Sequence, residues 1–144
     1  MTQNLSGTLN GQTHHLPVRV YFEDTDFSGI VYHARYLHFL ERGRTDMLRL
    51  MGVHHSELKD GAYGEPLFFA VKTMQLDFKA AAQIDDVLIV ETNVASIKGV
   101  RLNLKQVLLK DEKTILAADV EIVLINADGS PKRIPKDLIT RLSG

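Results

Sequence analysis

The densest concentration of reactive side chains lies in RVYFEDTDFSGIVYHARYLHFLER, residues 19–42. Glu23, Asp24 and Asp26 crowd together directly after an alternating apolar run, a placement that stability alone does not call for. Ser28 and Gly29 then make a turn, and His33 stands at the mouth of a helical pattern. The first N–H groups of a helix lack intrahelical partners and carry the positive end of its dipole. They can polarise a carbonyl or hold an oxyanion, an effect worth ~2.7–4 kcal/mol per donor. A carboxylate beside them can activate water or attack an acyl carbon. The stretch thus holds the parts of an acyl-transfer site that needs no serine, cysteine or metal. Asp26 could serve as a base, helped by desolvation or by the negative charge of Asp24 and Glu23. It could equally serve as a nucleophile, for which ionisation suffices.

Each residue also has a plainer role. Asp24 and Asp26 suit turn and N-cap positions, and His33 suits a solvated first helical turn. His38 and Glu41 have the H-x-x-E spacing of a helical metal pair, but a lone pair is a weak signal and a surface contact is the simpler reading. The pairs His14–His15 and His54–His55 read as surface loops.

The elements that must position these residues are legible in the periodicity. LPVRVYF alternates, which predicts a half-buried strand with Leu16, Val18, Val20 and Phe22 on one face. From about Tyr32 to Met51 the period lengthens. Tyr36, Leu40, Gly43, Met47 and Leu50 form one apolar stripe, with Arg35, Arg42, Arg44 and Arg49 off it, so an amphipathic helix of about five turns is expected. Gly52 suits its C-terminus, and Gly43 suits a close approach to a sheet. Four β-rich runs follow, PLFFAVKTMQLDFKA, DVLIVETNVASIK, VRLNLKQVLLKD and TILAADVEIVLINA, and PKDLITRL suits a short closing helix. The fold class is therefore α+β in the order β-α-ββββ: a curved five-stranded antiparallel sheet around one central helix. Residues 1–14 read as a polar lead-in and 15–144 as a single domain. Runs such as DVLIV and EIVLI are apolar on both faces, which predicts a covering subunit.

The totals agree with this picture. A chain of 144 residues with 44% hydrophobic content supports one core. Net charge −1 lacks the footprint of a nucleic-acid binder, although a local basic patch could still meet a phosphorylated ligand. There is no cysteine, which excludes disulfides, zinc–thiolate sites and cysteine nucleophiles. No apolar run reaches the ~20 residues of a transmembrane helix, and the opening residues do not read as a secretory signal. The expected location is cytoplasmic.

Taken together, EDTDFSGIVYHARYLHFLERGR resembles the signature of the hotdog-fold acyl-CoA thioesterases, in the 4-hydroxybenzoyl-CoA thioesterase branch with its Tol–Pal-associated members. The likeness is dense from Arg19 to about Met47, and AADVEIVLINADGSPKRIP is similar to the family's final strand and basic tail. The resemblance implies a long helix wrapped by a five-stranded antiparallel sheet, paired into dimers or dimers of dimers. It implies hydrolysis of an acyl-CoA thioester, with coenzyme A as part of the substrate and no separate cofactor or metal. By the same resemblance Asp26 is the catalytic carboxylate and the His33 N–H polarises the carbonyl, with a proposed side-chain role in handling water. Gly29 permits the turn, Tyr32 adjoins the donor, and Tyr36 and Glu41 are structural. Several relatives carry a tyrosine where this chain has Phe22, so Tyr21 or Tyr32 would have to supply any hydroxyl helper. Coenzyme A phosphates call for cations, and Lys72, Lys98, Arg101, Lys132 and Arg133 are candidates, Arg101 and Arg133 foremost. Rival readings are a non-catalytic module that binds acyl groups or an acyl-carrier protein, and a hydratase, whose motif is not present in its usual order.

Overall fold

A computed structural model describes residues 5–144. Six strands form one antiparallel sheet: β1 (Thr8–Asn10), β2 (Thr13–Arg19), β3 (Leu67–Phe78), β4 (Val87–Lys98), β5 (Arg101–Lys110) and β6 (Lys113–Asn126). The helices are α1 (Arg35–Leu50), α2 (His55–Lys59) and α3 (Lys136–Leu142). The strand order is β1-β2-β4-β5-β6-β3. β4, β5 and β6 form the expected meander, while β3 crosses over to pair with β6 and, among the described residues, leaves its other edge free.

α1 lies against the sheet, burying Tyr36, Phe39, Leu40, Gly43 and Met47. The core they enter is completed by Leu88, Val90, Leu102, Leu104 and Leu108 from the central strands. α1 ends in a Schellman-type closure: Val53 N–H donates to Leu48 O at 2.8 Å, and Gly52 takes φ +82°. Gly43 has a steric reason to be glycine. A Cβ there would lie 2.5 Å from Val90 Cγ1 and 3.3 Å from Thr92 Oγ1. Bare backbone at this point lets the helix sit close to β4.

Several expectations need correcting. The sheet has six strands, because residues 8–10 pair with 13–15, so the segment read as a polar lead-in is built into the sheet from residue 8. Residues 1–4 of that segment lie outside the described residues. β2 begins at Thr13, and its inward face continues backward through His14. His14 is buried and its Nε2 meets Asp46 Oδ2 at 2.6 Å, while Asp46 also accepts Gly7 N–H at 2.8 Å. A histidine on the inner face conceals the strand's periodicity. His15 is not free either, since it bonds Glu91 across the ladder at 2.9 Å. At the other end β2 stops at Arg19, and a 3-10 turn over Phe22–Asp24 throws the Phe22 ring outward, 80% exposed. α1 is shorter than the pattern suggested. Leu50 is exposed, whereas Arg44, expected off the stripe, is buried.

Gly43→Ala should destabilise the fold by about 1 kcal/mol. Overpacking costs ~1–3 kcal/mol and alanine's helix propensity returns up to ~1 kcal/mol. Urea unfolding should show that cost largely vanish when alanine is introduced in a Val90→Ala background.

Candidate active site

The acidic stretch folds into a small backbone clip. Residues 24–26 run antiparallel to 30–32: Tyr32 N–H donates to Asp24 O at 2.9 Å, Thr25 bridges Val31, and Asp26 N–H donates to Ile30 O at 3.0 Å. The turn closing the clip is Asp26–Gly29, with Gly29 N–H donating to Asp26 O at 3.0 Å. Gly29 takes φ +87°, which a side chain would disfavour. Val31 N–H donates to Ala82 O at 2.9 Å and Ile30 bridges Gln83, so the clip is tied to the segment that leads into β4.

The two aspartates divide the work. Asp24 is buried, and its Oδ1 accepts from Arg35 Nε at 2.9 Å and Nη2 at 2.8 Å. Its Oδ2 accepts Tyr21 N–H at 2.8 Å. Asp24 therefore locks the 3-10 turn to the first residue of α1, and its carboxylate is largely taken up by these contacts. Asp26 is half-buried, and its Oδ1 accepts Ser28 N–H at 2.8 Å and the Ser28 hydroxyl. These bonds, the Ser28 hydroxyl foremost, hold the Asp26 carboxyl below its ordinary pKa of 3.8. The sequence allowed for a carboxyl raised by Asp24 and Glu23. The opposite holds because Asp24 is neutralised by Arg35 and Ser28 stabilises the anion.

His33 follows the clip at the entrance to α1. Neither its N–H nor that of Ala34 donates to an acceptor among the described residues, and Ala34 contributes no side-chain cap. The donors expected at the helix mouth are thus unengaged within the chain. Tyr32 differs: its N–H is used by Asp24, and its half-exposed ring lies 4.5 Å from the His33 ring between centroids. Tyr36 is a core residue whose hydroxyl accepts Ala82 N–H at 3.0 Å. Tyr21 and Tyr32 both reach solvent, and neither hydroxyl bonds Asp26 among the described residues. Ser28, two residues after Asp26, is signalled in the sequence only by the Asx-turn pattern, and Arg35 only as a cation one helical turn past Tyr32.

Arg101 and Arg133 lie elsewhere. Arg101 opens β5 beside the Lys98–Gly99 turn, and Ile134 N–H donates to Gly99 O at 3.0 Å, which brings the segment holding Arg133 to the same end of the sheet. The clip sits at the other end, where Val20 N–H donates to Asp86 O. The length of β4 separates them, roughly 36 Å from residue 87 to 98. Within one chain they do not share a site with Asp26.

With the geometry defined, comparison with known proteins places it. The model of the thioesterase-like superfamily matches residues 20–142. The chain belongs to that superfamily. An acyl-CoA thioesterase YbgC from Haemophilus influenzae is 41% identical over 123 residues, covering 85% of this chain and 88% of that protein. An acyl-CoA thioester hydrolase YbgC from Escherichia coli O6:H1 is 36% identical over 134 residues, covering 91% and 96%. A probable thioesterase from Bartonella henselae superposes with TM-score 0.83 at 46% identity, covering 85% and 99%. The 4-hydroxybenzoyl-CoA thioesterase of a Pseudomonas strain shares the fold, with TM-score 0.81 at 19% identity over 90% of this chain and 99% of that one. The hotdog architecture of this thioesterase-family domain carries one strand more than the expected five. Among the described residues, no helix is long and apolar enough to cross a membrane.

The division of labour between the aspartates is measurable. Asp24→Ala should cost about 2 kcal/mol in urea unfolding, since the Tyr21 N–H and Arg35 Nε lose their acceptor while, among the described residues, Arg35 keeps only the exposed Glu23 at 3.4 Å. Asp26→Asn keeps the turn chemistry and should stay within about 0.5 kcal/mol of wild type.

Proposed function

We propose that the protein is an acyl-CoA thioesterase that hydrolyses its substrate to a free carboxylic acid and coenzyme A. The observation that carries this is a carboxylate, fixed by Ser28, in a backbone clip that leads directly into a helix mouth whose His33 and Ala34 N–H groups are unengaged among the described residues. In the reaction the His33 N–H, with that of Ala34 beside it, receives the thioester oxygen as negative charge develops there. Asp26 then acts in one of two ways. As nucleophile, its oxygen bonds the acyl carbon, the C–S bond breaks to release the coenzyme A thiolate, and water hydrolyses the mixed anhydride. As base, it takes a proton from water, whose oxygen bonds the acyl carbon; the C–S bond then breaks, the coenzyme A thiolate leaves, and the acid is released directly. Its lowered pKa keeps it ionised at neutral pH, which either role requires. No cofactor enters, and coenzyme A arrives as part of the substrate.

The site is completed by a second copy. β3 offers a free edge of 12 residues with Val71 and Phe78 exposed, and an edge of that length invites pairing. Phe78 packs on Tyr36 at the clip end of the sheet, whereas Leu67 pairs with Asn126 at the end that holds Arg101 and Arg133. A two-fold axis pairing β3 antiparallel with its copy places opposite ends side by side. Asp26 of one chain then faces Arg101 of the partner subunit and Arg133 of the partner subunit, where coenzyme A phosphates need cations. Lys72 and Lys98 extend the same basic end.

In thiol-release assays on an acyl-CoA panel, Asp26→Asn should lose ~10²- to 10⁴-fold in kcat while staying folded. Equal, negligible rates in both proteins would leave a binding module. Equal, substantial rates would clear Asp26 of the chemistry. Wild-type kcat/KM should stay flat as pH falls from 8 to 5, because a depressed carboxyl loses its charge only below pH 3.8.

The shared site has its own test. Asp26→Asn chains and Arg101→Glu/Arg133→Glu chains, each weak alone, should regain activity when unfolded and refolded together. One site of each mixed dimer then has both its aspartate and its arginines. Failure to complement would assign the arginines no role across the interface.

A further inference from the structure

The free N–H groups at the helix mouth lie in a stretch, residues 31–36, whose two ends are tied to one residue. Val31 N–H donates to Ala82 O at 2.9 Å, and Ala82 N–H donates to the Tyr36 hydroxyl at 3.0 Å. Residues 31–36 therefore close a ring through Ala82, and the His33 and Ala34 peptides lie inside it. Val31, Tyr36 and Ala82 are all buried, where an unmade hydrogen bond is costly.

Ala82 is a fixed point for this ring. It stands in the segment 79–86 between β3 and β4, and both ends of that segment are fastened to the rest of the sheet. Lys79 N–H and Ala80 N–H donate to Ile115 O, and Val20 N–H donates to Asp86 O. Asp86 Oδ2 also accepts Gln83 N–H at 2.8 Å and pairs with Lys110 Nζ at 2.8 Å. Between these anchors, the Tyr36 hydroxyl is the only side-chain group that bonds Ala82 among the described residues. The other end of the ring reaches the carboxylate: Val31 bridges Thr25, and Asp26 N–H donates to Ile30 O. A ladder of short segments, 24–26, 30–32 and 82–83, thus ends on a hydroxyl one helical turn past His33.

Packing alone does not call for that hydroxyl. The Tyr36 ring meets Phe39 at 6.2 Å and Phe78 at 5.7 Å between centroids, contacts that phenylalanine would make equally well. Nor does the hydroxyl ionise near neutrality. Burial foremost, and the charge of Asp86, push the phenol above its ordinary pKa of 10.0 despite the Ala82 N–H. What the hydroxyl supplies is the second tie to Ala82.

We propose that Tyr36 is a positioning residue for the reaction: through Ala82, its hydroxyl fixes the His33 and Ala34 N–H groups relative to the Asp26 turn. The catalytic half of this rests on the thioesterase reading; the tether does not. Small misplacements of oriented groups cost rate rather than binding, so the effect belongs in kcat.

Tyr36→Phe keeps the ring and removes the tether. In thiol-release assays it should lower kcat about 10-fold and leave KM within about 2-fold of wild type. The factor should be the same from pH 5 to pH 8, because a neutral phenol does not titrate there. Amide exchange, followed residue by residue, should quicken at least ~10-fold more at Val31 and Ala82 than at Leu104 and Leu108 of β5. Wild-type kinetics in a folded Tyr36→Phe overturn the proposal, as does a loss confined to KM. A loss that varies over this pH range also overturns it, since Tyr36 would then act as an acid or base. Uniformly faster exchange with kcat unchanged would leave Tyr36 a purely structural role. If Tyr36→Phe does not fold, the wild type decides: an Ala82 amide protected like that of Val31 supports the tether, and an unprotected one overturns it. Turnover that needs Asp26 but not the Tyr36 hydroxyl keeps the thioesterase and removes the positioning role. No turnover in the wild type removes both, whatever the exchange data show of the tether.

Discussion

The clip end of this molecule depends on the bond pair between Asp24 and Arg35. Three separate pieces of chain meet there: the end of the β2 segment, the turn that carries Asp26, and the first turn of α1. Each is short and would be mobile alone. A buried carboxylate accepting from Arg35 Nε and Nη2, and from the Tyr21 N–H, fixes all three at once. Because Asp24 is neutralised in this way, its charge does not bear on Asp26, and the local effect of Ser28 governs the second carboxyl. The most buried acid of the motif is a brace, and the more accessible one is left for chemistry.

A second constraint acts along α1. Bare backbone at Gly43 brings the helix close to β4, and the neighbouring turn then presses Arg44 into the core. Once there, a guanidinium needs an acceptor, which Gln106 supplies at 3.1 Å, its amide held in place by Thr92 Oγ1 and Leu40 O. Close packing and the polar relay are therefore one feature seen from two sides. A larger residue at 43 would lift the helix and would also move Arg44 away from Gln106.

Much of this was legible in the sequence because local rules and global fold agree over the relevant stretches. The five-residue alternation from Leu16 to Val20, the helical stripe from Tyr36 to Met47, Gly52 at the helix end and the four later strands all follow from pattern. The Asp26–Gly29 turn and the donors at His33 follow from the chemistry of helix starts. Other features required information from distant parts of the chain. His14 is polar by type but faces inward, because Asp46 lies 32 positions away in sequence and meets it in space. Phe22 fits the strand's alternation, yet the pull of Asp24 toward Arg35 ends the strand before it. Arg44 looked like a surface cation until Gln106 was seen behind it. Arg101 and Arg133 are near each other for reasons of strand order, and strand order also carries them to the far end from Asp26.

The two edges of the sheet are unequal. β1 exposes three residues of backbone and β3 exposes twelve. The two-fold pairing proposed for β3 would consume both long edges and leave only the short ones outside. A sheet with long edges on both sides could add copies without limit and grow into a fibre. Here the hairpin of β1 and β2 acts as a terminator. Shortening one edge at the N-terminal side would hold edge-to-edge growth at two sheets, without any surface devoted to keeping a third away.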